Sequence, residues 1–168
     1  MNTITIYLIT LVLSIAPISE LRGGIPYAIA NGIPWYWAYL VSVLSNILVA
    51  PLCWVFLATL HKLLYGKTPE KGFRLYKKFF DKLVARARKK LSASLEKWGW
   101  IGIALFVAIP LPVTGAWTGT IGAWVFGVSR KRTFLSVSLG VIIAGIIVTV
   151  VTVLGISALD IFIKKAVP

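Results

Sequence analysis

The sequence is poor in the residues from which soluble catalysts are built. It has one cysteine, Cys53, one histidine, His61, and only five acids in 168 residues. A lone cysteine excludes an internal disulfide framework and thiol-ligated zinc, and a lone histidine excludes a histidine metal cluster. No nucleophile and base can be paired from this inventory, so neither an enzyme nor a bound cofactor is expected. Charge is also scarce, at 14% of residues against about 25% in a soluble domain. What remains is apolar: 58% of residues are hydrophobic and mean hydropathy is +0.88, where soluble domains carry roughly 45–50%. This composition predicts an all-α integral membrane protein. The length allows about one domain and, at roughly 20 residues per crossing, a few spans.

Apolar stretches lie at 3–19, 25–60, 98–128 and 133–163. They are separated by Glu20-Leu-Arg22-Gly23-Gly24, by a basic segment at 61–97, and by Arg130-Lys131-Arg132. The first run, from Ile4 to Ala16, has no preceding Lys or Arg, which a secretory signal requires, so it is read as mature structure. Trp35 to Leu60 is the cleanest span, 26 residues with an aromatic anchor in Trp35-Tyr36-Trp37. Thr133 to Leu159 is a second.

The other two stretches are interrupted. Pro110 and Pro112 remove helix hydrogen bonds and force extended backbone before each ring. Pro17, the Glu20/Arg22/Gly23/Gly24 cluster and Pro26 do the same in residues 1–34. Broken helices persist in a bilayer only where protein or a polar cavity takes up the freed backbone groups. Both stretches are read as re-entrant hairpins or discontinuous helices, with two kinked but complete spans as the alternative.

Segment 61–97 holds twelve of the 18 basic residues, which places it on the cytoplasmic side of the plasma membrane. If 98–128 enters, turns at Pro110–Pro112 and returns, Arg130-Lys131-Arg132 stays on that side too. The hairpin therefore obeys the positive-inside bias. Within the basic segment Phe73, Tyr76, Phe79, Phe80, Leu83, Ala87, Leu91 and Trp98 recur at helical steps. This predicts an amphipathic interfacial helix from Glu70 to Trp98 that meets anionic lipid headgroups on the inner leaflet rather than nucleic acid.

Sliding the chain by 95 residues superposes Pro17 on Pro112, Gly24 on Gly119, Ala28 on Ala123, Gly32 on Gly127, Leu40 on Leu135, Leu44 on Leu139 and Ile47 on Ile142. The topology already sets these two units upside down. The expected architecture is thus an inverted repeat of two hairpin-plus-span units, 1–60 and 98–168, joined by 61–97. Secondary transporters of this design bind ligand near the midplane where the repeats meet. Glycines and alanines at four-residue spacing let helices approach closely and also permit a homodimer.

Glu20 and Arg22 are the only charges in the apolar body, each costing about 2.5–3.5 kcal/mol at a helix centre on insertion scales. One reading is a mutual salt bridge or a pair snorkelled to the outer interface. The other gives them a site, in which Arg22 holds an anionic group through its planar fork while Glu20 accepts protons or balances charge. Gly23, Gly24 and Pro26 flank them. Across the repeat the candidates are Pro110, Pro112, Thr114, Gly115, Trp117 and Gly119, offering hydroxyls, an indole N–H and free backbone amides. Thr114 and Thr118 could equally cap the broken backbone.

The run Ser19-Glu20-Leu21-Arg22-Gly23-Gly24-Ile25-Pro26 and the run from Pro110 to Gly119 resemble the paired signatures of the small multidrug export protein family over nearly the whole chain. That resemblance implies efflux. More distantly, the chain resembles the DedA/VTT superfamily of hairpin membrane proteins, whose members are associated with moving lipid phosphates between leaflets. By that resemblance Glu20 and Arg22 match acidic and basic residues of the first hairpin. Val113, Thr114 and Trp117 stand where the DedA pattern carries arginines.

Together these readings predict a transporter or flippase for an amphiphilic, anionic, lipid-like substrate, with proton exchange at Glu20. The rivals are an exporter of cationic amphiphiles, favoured by Glu20 and Trp117, and a scaffold acting through its basic helix.

Overall fold

The computed structural model describes residues 2–65, 98–111 and 114–166. The expected amphipathic helix over Glu70–Trp98 lies outside them apart from Trp98, as do Pro112 and Val113. Among the described residues all regular structure is helical: α1 (Thr3–Ile15), α2 (Glu20–Ala30), α3 (Trp35–Ile47), α4 (Val49–Tyr65), α5 (Trp100–Ala108), α6 (Ala116–Val125) and α7 (Arg130–Ala166).

Two helical stretches are long and apolar enough to cross a bilayer, Trp35–Thr59 and Arg130–Ala158. In the first, the helix is interrupted at Leu48, where α3 passes into α4. Pro51 explains the interruption, since it lacks the N–H that would bond the Ile47 carbonyl and its ring crowds that turn. The four remaining helices have 13, 11, 9 and 10 residues. At 1.5 Å per residue each reaches at most about 20 Å, short of a roughly 30 Å hydrocarbon core.

The distribution of side chains is that of a protein solvated by lipid. Leu40, Leu44, Leu48, Leu52 and Phe56 form an exposed stripe at four-residue steps along α3 and α4, and Leu135, Leu139, Ile142, Ile146, Val150 and Leu154 form one at three- and four-residue steps along α7. Apolar patches of this extent mark a membrane surface. The inward faces carry Thr10, Ser14, Ser42, Ser45, Asn46, Thr120 and Ser136, all buried. Most of the hydroxyls among them bond back to the carbonyl one turn earlier, as Thr10 does to Ile6 and Ser14 to Thr10, both at 2.7 Å. Small hydroxyl residues let the backbones draw close.

The α3–α4 rod and α7 run in opposite directions. Gly145 of α7 lies against Val43 and Tyr39, while Arg130, at the start of α7, sits 5.9 Å over the ring of Trp54 near the other end of the rod. Around this pair, α1 packs on α2 and α3, and α5 packs on α6 and α7. The half-length helices cross over, α2 reaching α7 and α6 reaching α4.

Local structure also recurs at the 95-residue offset. Helices α2 and α6 both end with a glycine of positive φ, Gly32 at +84° and Gly127 at +70°, a backbone that only glycine adopts without penalty. The capping bonds match: Gly32 N–H bonds Ile29 O and Ile33 N–H bonds Ala28 O, just as Gly127 bonds Trp124 and Val128 bonds Ala123. This is the Schellman pattern in both places. Each is followed by a long helix, starting at Trp35 and at Arg130.

The helix contacts set a first test. A Cβ at Gly140 would meet the Ala104 carbonyl and Val107, both at 2.6 Å, whereas at Gly155 nothing lies within 4 Å. Gly140→Ala is expected to destabilise by about 1–3 kcal/mol through overpacking of α5 on α7. Gly155→Ala is expected to be neutral or stabilising by up to about 1 kcal/mol from helix propensity. Thermal unfolding in nanodiscs reads both.

Candidate functional site

Two chain breaks create the site, and both arise from the residue before a proline. Ala16, before Pro17, is extended at φ −62°, ψ 134°, which ends α1. Ile109, before Pro110, is extended at φ −82°, ψ 112°, which ends α5. A proline ring excludes helical backbone from the residue ahead of it. Each break strands carbonyls that the preceding helix cannot satisfy, and in a membrane protein donors from other elements must do so.

Ile15, Leu111 and Thr114 receive donors from the opposite half of the chain, and Ser14 receives one from its own half. At the first break, Trp117 of α6 donates its indole N–H to Ile15 O at 2.7 Å, and Asn46 of α3 donates its amide to Ser14 O at 2.6 Å. At the second, the Arg22 guanidinium donates through Nη1 to Leu111 O and through Nη2 to Thr114 O, the latter at 3.0 Å. Thr114 adds an internal clasp, its hydroxyl donating to Ile109 O at 2.6 Å and accepting from Leu111 N–H at 3.1 Å. Arg22 and Trp117 stand 95 residues apart. Each reaches from its own half-helix to brace the break in the other half.

Glu20 sits at the centre. It is 5% exposed, and its backbone takes a left-handed φ of +47°, a conformation costing about 1–3 kcal/mol outside glycine. Its carboxylate accepts Trp117 N–H at 3.4 Å and faces Arg22 Nη2 at 3.7 Å. It therefore lies on the N-terminal turn of α6, where free amides and the helix dipole favour an anion. Gly115 makes room for it, because a Cβ there would collide with the carboxyl group. Glu20 and Gly115 also differ by 95 positions.

Glu20, Arg22, Pro110, Thr114 and Gly115 are thus brought together, with Asn46 beside them. Pro112 lies outside the described residues. The space they enclose is about 10 Å³, enough for roughly one water molecule. The wet pocket expected from the sequence is therefore closed, because the protein's own carbonyls and amides occupy the charged pair.

Four expected residues serve the scaffold instead. Gly24 lets α2 approach Ser14 and Ser42, and Gly119 lets α6 approach Val107, Ile103 and Val137. Gly23 packs over Ser19. Pro26, read as a helix breaker, lies inside α2, so the first break falls at 16–19 alone. Trp117 belongs to the site through its indole donor, but that donor is spent on Ile15.

Asn46 is the residue that sequence reasoning missed. It is fully buried, it lines the enclosed space, and its Oδ1 has no hydrogen-bond partner among the described residues. The signal was available, since Asn46 is the single carboxamide between Trp35 and Leu60 and a polar group inside a span is a functional-site candidate.

A helical membrane protein whose two broken segments brace one another around a buried acid and guanidinium is the class that this fold and site define. The chain belongs to the putative small multi-drug export protein family, whose sequence profile matches residues 20–147, about three quarters of its length. No curated protein and no solved structure is significantly similar to it.

Proposed function

We propose that the chain is a plasma-membrane transporter that exports amphiphilic small molecules by alternating access between two inverted repeats. The observation that carries this reading is the Glu20–Arg22 pair, held at the meeting point of two broken segments. The antiparallel spans, the Schellman turns at equal offset, and helix contacts that are preserved when the two units are exchanged all support an inverted repeat. The short helices α1, α2, α5 and α6 support re-entrant hairpins. The family's description favours drug-like cargo.

In this closed arrangement the acid and the guanidinium are each held by the opposite unit. Opening toward either face means parting one set of braces, Arg22 from the 111–114 loop or Trp117 from the end of α1. A charged headgroup entering the gap would replace the carbonyl or amide that leaves, and its apolar tail would remain in lipid. Glu20 would take a cationic headgroup or a proton, which fits a multidrug exporter. Segment 61–97 and Arg130–Arg132 would face the cytoplasm under the positive-inside bias.

A second reading, translocation of an anionic lipid phosphate, is favoured by Arg22, whose side chain is 23% exposed and offers a bidentate fork. Proteoliposomes separate the two. Efflux of a cationic dye and leaflet transfer of a labelled lipid phosphate would be followed for wild type, Glu20→Gln, Arg22→Lys and Arg22→Ala. Export of cations predicts dye efflux that falls by about 10²-fold or more in Glu20→Gln, a loss of roughly 3 kcal/mol in binding. Lipid transfer that survives Glu20→Gln but not Arg22→Lys supports the second reading. Absence of both activities in wild type would contradict the proposal.

A further inference from the structure

The geometry points to a phospholipid site on the outside of the helix bundle, where a groove between α4 and α7 holds an anionic phospholipid with its phosphate on Arg130 and Lys131 and an acyl chain along Pro51, Trp54, Val55 and Phe134. The groove has a volume of about 320 Å³ and is lined by these residues from the two helices. It is remote in sequence and in lining residues from the Glu20–Arg22 site, and nothing in the transport reading requires it.

Three observations fix the occupant. The first is depth. Trp54 follows Trp35 by 19 residues, or about 29 Å of helix at 1.5 Å per residue, which matches the hydrocarbon thickness of a bilayer. Trp35 and Trp54 thereby stand at opposite interfaces, where tryptophan is favoured. The groove opens beside Trp54, at the level of lipid phosphates.

The second is charge. Arg130 and Lys131 are exposed at the groove's rim and belong to the run Arg130-Lys131-Arg132. Among the described residues the ion pair is made by Arg22, and Arg130 instead stacks over Trp54 at 5.9 Å. This contact orients the guanidinium while leaving its N–H donors for a phosphate. The third is the wall. Val55 is 63% exposed and Phe134 is 43% exposed, apolar surface that an acyl chain would cover. A basic rim at headgroup depth over an apolar slot between transmembrane helices is complementary to an anionic phospholipid. A free phosphate would use the rim alone.

Native mass spectrometry of the full chain, released from nanodiscs of phosphatidylcholine and phosphatidylglycerol in equal parts, tests this. The expected wild-type result is a retained phosphatidylglycerol adduct. Arg130→Gln should reduce its occupancy by about fivefold, the factor for one basic residue near an anionic surface, and Arg132→Gln, which removes the same charge outside the groove, should leave it unchanged. Val55→Trp, which fills the slot at an exposed position, should also lower it without changing thermal stability. Equal losses in Arg130→Gln and Arg132→Gln would mean diffuse electrostatic attraction and overturn the site. So would full retention in Val55→Trp, or displacement of the adduct by inorganic phosphate.

Discussion

Arg22→Ala is expected to lower the stability of the protein in nanodiscs by about 3 kcal/mol, near the low end of the cost of breaking a buried charge pair. The loss has two sources. Thr114 O loses the Arg22 donor, Leu111 O loses one donor while keeping the Thr114 amide, and the Glu20 carboxylate loses its cation while remaining buried. Arg22→Lys should fall between, because an ammonium replaces the charge but cannot bridge two carbonyls with a planar fork. Removing the acid as well should recover part of the loss, so Glu20→Gln/Arg22→Ala is expected to show a coupling of about 1–3 kcal/mol. Thermal unfolding of the four proteins measures this cycle. Purely additive losses would mean that the acid and the guanidinium are neighbours without being partners.

The second large effect is expected at Gly115. Gly115→Ala places a methyl group where the Glu20 carboxyl now lies, and neither can move far, since the carboxylate is held by Trp117 N–H and Arg22. Destabilisation of about 3 kcal/mol, the upper end of overpacking costs, is expected. The steric origin has a signature. In a Glu20→Ala background the obstacle is gone, and the same Gly115→Ala change should cost less, keeping only the roughly 1–3 kcal/mol of backbone strain at its φ of +158°. An equal cost in both backgrounds would show that Gly115 is needed for its backbone and not for the room it gives to Glu20.

Much of this arrangement could be read from the residues. The apolar runs located the two spans because a bilayer demands about 20 apolar residues, and that demand is written directly in composition. Prolines 17 and 110 located the breaks because a proline constrains its predecessor whatever surrounds it. Gly32 and Gly127 marked two matching helix ends through a backbone need that is local to each turn. Glu20 and Arg22 stood out because charge in oil requires a partner.

What depended on three-dimensional contact was less legible. Pro26 looked like a breaker, but a helix can absorb one missing hydrogen bond when packing holds both ends, and α2 is clamped by α1, α3 and α7. Gly24 and Gly119 lie inside the quoted motifs, yet their role is packing, visible only once Ser42 and Val107 are known to face them. Trp117 was read as a donor for substrate. Its use on Ile15 O follows from the position of α1 against α6, which no sequence spacing encodes. Asn46 was passed over because its span is otherwise uniformly suited to a membrane, and its importance comes from the stranded carbonyl of Ser14.

The central claim is that residues 95 apart occupy equivalent places on opposite faces of the membrane. Impermeant maleimide labelling of single cysteines in intact cells tests it most directly, with Asn31→Cys and Phe126→Cys at the exposed ends of α2 and α6. The native Cys53 is buried and contributes little background. The account predicts that position 31 is labelled in intact cells and position 126 only after permeabilisation. Labelling of both from the same side would contradict it.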